Sequence, residues 1–327
     1  GDEVITSSFT FFGTAEAISD VGAKPVFVDV DPNSYLIDLE LIEKAITSST
    51  KAILPVHMFG QSVDMEKLMK LADDYGLKVI EDCAQAAGAK WKDQSVGSWG
   101  DLGCFSFFPT KNLGTGGDAG AVTTNNESLA QRVRQLSVHG MPQRYLHTEL
   151  GYNSRLDALQ AAILNVKLPR LSQWVKQREK VALRYKQYLK DLNGLELPNI
   201  SEPLISSHAW NQFVVKVGNF STGKDEDSSK SFYRDWLKKN LEDLGVRTII
   251  YYPIPIHLQP AYKNLGYELG SLPLTEKLSN QVLSLPIYPE IDLAQQDYVV
   301  SSIRKLLEKL KSQELAGSMP GSNGFTI

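Results

Sequence analysis

The sequence predicts an α/β protein with a mostly parallel, helix-covered sheet in a large domain and a smaller α+β domain after it. Three observations support this fold class. Short β-branched runs alternate with helix-length segments through the first part of the chain. The run at residues 25–30, PVFVDV, is nearly continuous in apolar residues, as expected of a strand covered on both faces. The regular alternation then ends near Leu195.

The strands and helices of the large domain are predicted from residue type, and glycine and capping residues mark the helix ends. Gly22 stops the first helix, while Asp64 caps the third helix and Gly76 ends it. The predicted strands cover residues 4–6, 25–30, 51–56, 77–81, 104–108 and 119–124. The predicted helices cover residues 14–21, 39–46, 65–75, 127–138 and 155–167. Ligands of such sheets bind at the carboxyl ends of the strands.

The second half of the chain predicts a separate unit. A break at Pro169 precedes a long charged helix at 171–192. A strand at 212–217, helices at 231–244 and 296–310, and the proline-rich YYPIPIH segment follow, with a polar loop at 225–230. We therefore expect a large domain at 1–168, a small domain at 169–315 and a disordered tail at 316–327. Because the chain begins at Gly1, directly before a strand, we expect that an N-terminal part of the large domain is missing.

Composition limits the possible partners. The 327 residues carry a net charge of −4, which favours neither nucleic acid nor an anionic membrane as a partner. A hydrophobic content of 42% with 22% charged residues is typical of a soluble globular protein. The two cysteines, Cys83 and Cys104, lie in apolar strand contexts and predict free thiols in a reducing compartment. We expect a cytoplasmic protein.

The stretch from 103 to 120, GCFSFFPTKNLGTGGDAG, carries the strongest chemical signal. Lys111 lies in a glycine-rich loop between two predicted core strands. A lysine that loses solvent there has a lowered pKa and becomes a nucleophilic amine. The alternative is an ordinary lysine on a surface loop, so the interpretation depends on which other residues converge on this loop.

Four further side chains are candidates for the same crevice. Asp82 ends a predicted strand, where a carboxylate contacts a ligand or caps the following turn. Gln85 follows and either faces the crevice or is a solvent-exposed amide. Ser106 is the one polar residue of CFSFF and either bonds its own backbone or offers an oxygen to an anion. Phe11 either lies on the face of a flat ring or packs in the core.

A lysine, a strand-end carboxylate, a hydroxyl and an aromatic face suit pyridoxal phosphate. The lysine forms the Schiff base, and the carboxylate keeps the pyridine nitrogen protonated so that the ring acts as an electron sink. A competing pattern, G-x-G-x-x-A at 114–119, resembles the dinucleotide fingerprint of a dehydrogenase. That fingerprint must follow a strand directly and open a helix. Here residues 109–113 intervene and a strand follows, so we reject a dehydrogenase.

Across nearly its whole length the chain resembles the DegT/DnrJ/EryC1/StrS family of sugar aminotransferases of fold type I. The resemblance depends on the order of several moderately specific motifs. These are SFTFFGTAEAI, GAKPVFVDVDP, ILPVHMFGQ, VIEDCAQAAGA, GDLGCFSFFPTKNLGTGGDAGAV, HTELGYNSRLDALQAAIL and YYPIPIHLQPAY.

The resemblance implies a role for each candidate. Lys111 is the implied Schiff-base lysine and general base, and Asp82 the partner of the pyridinium nitrogen. The other implied cofactor contacts are Gln85 beside the ring hydroxyl, Phe11 stacked on the ring, Ser106 at the phosphate and Asn153, which reaches the phosphate in the neighbouring subunit of a homodimer. A dehydratase branch that has histidine in place of the lysine is disfavoured, and no metal site is expected.

The implied reaction is a ping-pong transamination with pyridoxamine phosphate between its two halves. Glutamate is the implied amino donor, and a nucleotide-linked keto-sugar is the acceptor, for amino-sugar, polysaccharide or glycoside biosynthesis. RYLHTELGYNSRLD is more similar to the subgroup acting on 3-keto sugars than to the 4-keto subgroup, which stays an alternative. Candidate contacts to the nucleotide sugar are Tyr145, His147 and Arg155, while His257 is a candidate for holding the two domains together. A non-catalytic regulator that binds the cofactor is a further alternative.

Overall fold

A computed structural model describes residues 1–199, 206–218 and 231–315. Twelve strands lie in these ranges: β1 Glu3–Ser7, β2 Lys24–Val28, β3 Thr50–Leu54, β4 Lys78–Asp82, β5 Lys90–Trp91, β6 Gln94–Ser95, β7 Leu102–Ser106, β8 Gly120–Thr123, β9 Leu195–Glu196, β10 Ser206–Ser207, β11 Phe213–Val217 and β12 Val282–Leu285. Nine α-helices accompany them: α1 Phe12–Asp20, α2 Leu39–Ala45, α3 Met65–Tyr75, α4 Glu127–Leu136, α5 Ala158–Lys167, α6 Leu171–Leu189, α7 Phe232–Asp243, α8 Pro273–Gln281 and α9 Leu293–Leu315.

The large sheet has six strands in the order β2-β1-β3-β4-β7-β8. The first five run parallel, and β8 at the edge is antiparallel to β7. The predicted fold class, with its mostly parallel sheet, is confirmed. In the register of β4 with β7, Asp82 pairs with Cys104, so the carboxyl ends of these two strands lie side by side.

Local signals place the helix ends. The Asp64 side chain accepts a hydrogen bond from the Lys67 backbone at the start of α3, and Gly76 ends that helix with φ +65°. Helix α5 begins at Ala158 and not at 155, because the backbone of Asp157 is extended. Helix α9 begins three residues before its predicted start, since Asp292 Oδ1 accepts from the Gln295 amide at 2.7 Å and caps it.

Two main apolar cores stabilise the chain. The first packs the parallel sheet against α1 to α3 and also includes Val214, Leu278 and Val282. The second lies among α6, α7, α9 and the antiparallel sheet β12-β11-β9. Because the first core takes residues from both halves of the chain, the two units are in contact. The domain limits at 168 and 315 stay predictions, and both the loop predicted at 225–230 and the tail at 316–327 lie outside the described residues.

His257 lies at the contact between the two units. Its Nδ1 is 2.7 Å from the hydroxyl of Ser8, which follows β1, and its Nε2 is 3.0 Å from Glu276 Oε1 on α8. Burial, the largest influence, lowers the pKa of this imidazole, although Glu276 opposes the shift. The histidine thus joins both units, as its candidate structural role requires.

Both cysteines are free thiols, as predicted. In the three described ranges, no helix is both long and apolar enough to cross a membrane.

Candidate active site

Asp82, the last residue of β4, is held from two sides. The Thr14 hydroxyl of α1 donates to Oδ2 at 2.8 Å, and the Ala84 backbone amide donates to Oδ1 at 3.0 Å. A carboxylate offers about four acceptor positions, so these two bonds leave room for a further donor. Asp82 therefore caps the following turn and keeps acceptor capacity at the carboxyl end of β4.

Lys111 lies in the loop between β7 and β8. Its backbone amide donates to the Phe108 carbonyl at 2.9 Å. Burial lowers the pKa of its amine, and the negative charge of Asp82 partly opposes that shift. The two groups are therefore close enough to interact electrostatically. The loop is compact, since a Cβ added at Gly114 would lie 2.6 Å from the Pro109 carbonyl oxygen.

Gln85 is buried, so the alternative of a solvent-exposed amide is wrong. Its Oε1 accepts from the Phe59 backbone amide at 2.7 Å, and its Nε2 donates to the Tyr252 hydroxyl at 3.1 Å. Burial raises the pKa of Tyr252, and the charge of Asp82 raises it further. Gln85 thus brings Tyr252, from the YYPIPIH segment, beside Asp82.

Phe11 is 62% exposed, so it does not take the alternative role of a core residue. It directly precedes α1, and its ring centroid lies 6.2 Å from that of Tyr252. Ser106 ends β7, and its Oγ accepts from the Phe108 backbone amide at 3.3 Å, which matches the backbone alternative for this hydroxyl. Because Oγ is the acceptor in this bond, the Ser106 hydroxyl hydrogen stays available to another acceptor.

Four predicted residues lie apart from this cluster, in the exposed segment 139–157. Asn153 pairs with Val138 in an isolated antiparallel bridge. His147 Nδ1 donates to the His139 carbonyl at 2.9 Å, and an Arg155 guanidinium nitrogen is 3.5 Å from His139 Nε2. Tyr145 is exposed and has φ +65°. No described contact joins these four side chains to Lys111 or Asp82.

Sequence reasoning missed two residues of this site. Thr14 contacts Asp82 from a position 68 residues earlier in the chain, and Tyr252 contacts Gln85 from 167 residues later. Both lie in motifs that carry the family resemblance, SFTFFGTAEAI and YYPIPIH, and this position was the signal in the sequence that could have identified them. Nothing in their local sequence indicates the partner.

Among the described residues, one buried group has metal-ligand chemistry: His57, Glu81 and Cys83. Its polar atoms are already hydrogen bonded. Glu81 Oε2 accepts from His57 Nε2 at 3.0 Å and from the Gly97 amide at 2.7 Å, while Oε1 accepts from the Trp99 and Gly100 amides. Because His57 Nδ1 accepts from the Val63 amide, the imidazole proton is on Nε2. This arrangement is that of a structural network.

The family model of the DegT/DnrJ/EryC1/StrS aminotransferase family matches residues 1–304. A pleiotropic regulatory protein of Geobacillus stearothermophilus is 46% identical over 303 residues, which cover 93% of this chain and 78% of the relative. The UDP-N-acetyl-3-dehydro-α-D-glucosamine 3-aminotransferase of Acidithiobacillus ferrooxidans is 44% identical over 307 residues, which cover 94% of this chain and 78% of the relative. The names of several other relatives also place the amino or keto group at sugar carbon 3.

The fold has solved counterparts. NtdA of Bacillus subtilis, determined with the cofactor PMP bound, superimposes with a TM-score of 0.83 at 36% identity, covering 94% of this chain and 68% of that one. The family match spans the motifs that carry Asp82 and Lys111. The chain belongs to the DegT/DnrJ/EryC1/StrS aminotransferase family.

Proposed function

We propose that this protein is a pyridoxal-phosphate-dependent aminotransferase that moves an amino group from glutamate to carbon 3 of a nucleotide-linked keto-sugar. The observation that carries the proposal is the placement of Lys111, in the loop after β7, close to Asp82 at the end of the adjacent strand β4, so that the charge of Asp82 acts on the buried Lys111 amine. Family membership and the names of the 3-aminotransferase relatives support the reaction and the carbon.

The residues present fit the cofactor. Lys111 offers a partly desolvated amine for the aldehyde carbon, and Asp82 retains acceptor capacity for the N–H of the pyridinium ring. The exposed ring of Phe11 is available for stacking on a flat heterocycle. The Ser106 hydroxyl supplies a donor for the phosphate, and Gln85 lies beside Asp82 as a candidate contact for the ring hydroxyl.

The bound cofactor supplies an electron sink that stabilises negative charge at the carbon next to the transferred nitrogen. With the cofactor bound, Lys111 would hold it through Nζ until the amino donor displaces the lysine amine. The freed amine would then act as the general base that takes the proton from the donor's Cα, and as the acid that gives this proton back in the same half-reaction. Burial favours this step, since it raises the fraction of the amine that is neutral and able to accept a proton. Asp82 keeps the ring nitrogen protonated throughout.

The nucleotide sugar enters in the second half-reaction. We assign its recognition to Tyr145, His147 and Arg155, whose exposed position suits a large, polar substrate. The guanidinium of Arg155 matches the diphosphate that links a nucleotide to a sugar. A 4-keto sugar is the alternative acceptor, and paired assays with a 3-keto and a 4-keto nucleotide sugar distinguish the two.

We propose a homodimer in which Asn153 serves the site of the partner subunit. The segment that carries it and the start of α5 expose six large apolar side chains, which a second copy would bury: Tyr145, Leu146, Leu150, Tyr152, Leu156 and Leu159. Leu150 alone is 96% exposed. We also place the protein in the cytoplasm, which the two free thiols support.

Subunit complementation tests the shared site. Lys111→Ala and Asn153→Ala variants should each be inactive, and a refolded mixture should recover about a quarter of wild-type activity, since half of its dimers are hybrids with one intact site. Sedimentation of each variant checks that it still dimerises. A mixture as inactive as its components would show that Asn153 does not act across subunits.

A regulatory role is the second candidate, because the Geobacillus relative carries a regulatory name. Both candidates allow cofactor binding, but a regulator predicts no turnover with any amino donor. Production of 2-oxoglutarate from glutamate and a 3-keto nucleotide sugar therefore separates them.

The deciding experiment adds pyridoxal phosphate to the purified protein and follows its visible absorbance. We expect a yellow complex that borohydride fixes onto the Lys111 peptide and that glutamate bleaches before reduction. Lys111→Ala should lose the complex, whereas Lys78→Ala, which removes an exposed lysine paired with Asp101, should keep it. A wild-type protein that forms no adduct at Lys111 would overturn the proposed function.

A further inference from the structure

Asp82 is connected to two hydroxyl groups in series. Thr14 Oγ1 lies 2.8 Å from Asp82 Oδ2, and Thr10 Oγ1 lies 3.0 Å from Thr14 Oγ1. Both threonine residues are buried, at 3% exposure for Thr10 and 6% for Thr14. Water therefore has little access to either hydroxyl as a replacement partner.

The direction of these bonds follows from their chemistry. An ionised carboxylate only accepts hydrogen bonds, so the single hydroxyl proton of Thr14 is donated to Asp82. Thr14 Oγ1 must then accept, and the proton between the two threonine residues belongs to Thr10. The order of donation is Thr10 to Thr14 to Asp82.

This arrangement fixes the rotation of the carboxylate. Oδ1 is bound to the Ala84 amide, within the turn that follows β4, and Oδ2 is bound to a side chain on α1. The two oxygens are thus held by two different elements, and the carboxylate plane cannot turn without breaking one bond. Oriented, charge-assisted bonds of this kind are among the stronger ones in proteins.

The same helix carries the stacking candidate. Phe11 directly precedes α1, three residues before Thr14. A bond from Thr14 to Asp82 therefore also sets the distance between the end of α1 that bears Phe11 and the carboxyl end of β4. These are the two surfaces between which the pyridine ring would lie.

The geometry points to Thr14 as a positioning residue, which holds Asp82 in the orientation that keeps the ring nitrogen of the cofactor protonated. The inference rests on the proposed function, because it concerns the partner of the pyridine nitrogen. Thr14 itself touches neither reacting atom, and it acts through Asp82.

The test compares Thr14→Val, which keeps the shape but removes the hydroxyl, with Thr14→Ser, which keeps the hydroxyl. A protonated ring nitrogen withdraws electrons and makes the nitrogen bonded to the cofactor's aldehyde carbon less basic. Without the Thr14 hydroxyl, Asp82 should hold the proton on the ring nitrogen less firmly. The pH at which the visible absorbance of the bound cofactor changes should therefore rise. We also expect Thr14→Val to lower kcat by about tenfold, the usual loss for one hydrogen bond to a charged group. Thr14→Ser should restore both readouts.

Ser19→Ala is the matched control on the same helix, since the Ser19 hydroxyl contacts Ala15 and Tyr262 and not Asp82. It should leave the absorbance transition and kcat unchanged. The dissociation constant of pyridoxal phosphate, measured by fluorescence titration of the protein freed of cofactor, gives a readout independent of turnover. This dissociation constant should rise in Thr14→Val and stay unchanged in Ser19→Ala.

Thr10→Val keeps the test decisive if Thr14→Val does not fold, because it frees the Thr14 hydroxyl without touching Asp82. We expect a smaller upward displacement of the absorbance transition. A wild-type transition in whichever of these two variants folds would overturn the role of Thr14. Failure of the proposed function can be told apart from failure of this inference, because the wild-type protein itself would then form no adduct at Lys111.

Discussion

The side-chain amide of Asn112 donates a hydrogen bond to the Ala209 carbonyl oxygen at 2.6 Å. Its oxygen accepts from Asn211 Nδ2 at 3.0 Å, and both asparagine residues are buried. The same segment also holds another loop, since the Ala209 amide donates to the Gly60 carbonyl at 2.8 Å. The residue next to Lys111 is therefore tied to a segment that also supports the loop after β3.

Asn112→Ala should destabilise the protein and loosen the loop of Lys111. The substitution removes both bonds and leaves the buried Asn211 amide without this partner, which costs about 2 kcal/mol of the free energy of unfolding. Urea unfolding measures that loss, and the rate at which Lys111 captures pyridoxal phosphate should fall with it. Asn240→Ala is the control, because the described side-chain bond of Asn240 is to the Trp236 carbonyl within its own helix. Equal losses in the two variants would contradict a special role for Asn112.

Glu81→Gln should destabilise the protein more strongly. The carboxylate of Glu81 accepts four hydrogen bonds, two at each oxygen. A glutamine NH₂ would face two of these donors, so we expect a loss of about 2 to 4 kcal/mol in the free energy of unfolding. Glu66→Gln, which removes the exposed pair with Lys92, should change it by less than about 1 kcal/mol. Similar midpoints of urea unfolding for Glu81→Gln and Glu66→Gln would contradict this prediction.

The same carboxylate should contribute to acid sensitivity. Burial alone would raise the pKa of Glu81, but the hydrogen bonds that His57 and the amides of Gly100 and Gly97 donate to its carboxylate outweigh burial, so the pKa lies below its usual value of 4.5. The folded state therefore favours the ionised form, and this stabilisation is present above pH 4.5 and is lost as the pH falls through the lower folded value. The free energy of unfolding of Glu81→Gln should fall less steeply than that of the wild type below pH 4.5. Parallel pH profiles would contradict this.

The sequence predicts the parts of this molecule that are encoded locally. Alternating apolar runs and helix caps identify the parallel sheet, and the strand-end position of Asp82 predicts a carboxylate at the ligand edge. Lys111 is recognisable because a glycine-rich loop isolates it between two strands, although the prediction that both are core strands is wrong: β8 is an exposed strand at the edge of the sheet. These features depend on residue order within about twenty positions. The parallel sheet is confirmed and Asp82 does end β4, while the roles of Asp82 and Lys111 at a ligand stay predictions.

Contacts between distant segments could not be predicted. The bond between Thr14 and Asp82 requires α1 to pack beside β4, and the bond between Gln85 and Tyr252 requires both units of the chain to meet. Whether Phe11 is exposed also depends on what packs over it, and periodicity gives no information on that. The roles of Asn153, Tyr145, His147 and Arg155 stay predictions, because they depend on a partner subunit or on a substrate.

Asp82→Asn should leave the fold intact and slow the reaction by about a hundredfold or more. The amide is almost the same size, and its oxygen still accepts from Thr14 or Ala84, but it cannot hold a proton on the ring nitrogen. Single-turnover bleaching by glutamate measures the loss, and thermal unfolding of the protein freed of cofactor checks the fold. Asp74→Asn, at the exposed pair with Lys70, is the charge-matched control. Near-normal bleaching in Asp82→Asn would remove its assigned role.

Arg155→Ala should affect only the sugar half of the reaction. Arg155 is exposed, and its described side-chain contact is the long one to His139, so stability should change by less than about 0.5 kcal/mol. If its guanidinium binds the diphosphate of the substrate, KM for the nucleotide sugar should rise about tenfold while bleaching by glutamate keeps its wild-type rate. Arg304→Ala on α9, where the guanidinium contacts the Tyr188 carbonyl, should change neither parameter. Because the two half-reactions share Lys111 and Asp82 but not the sugar contacts, an equal loss in both halves would place Arg155 at the cofactor instead.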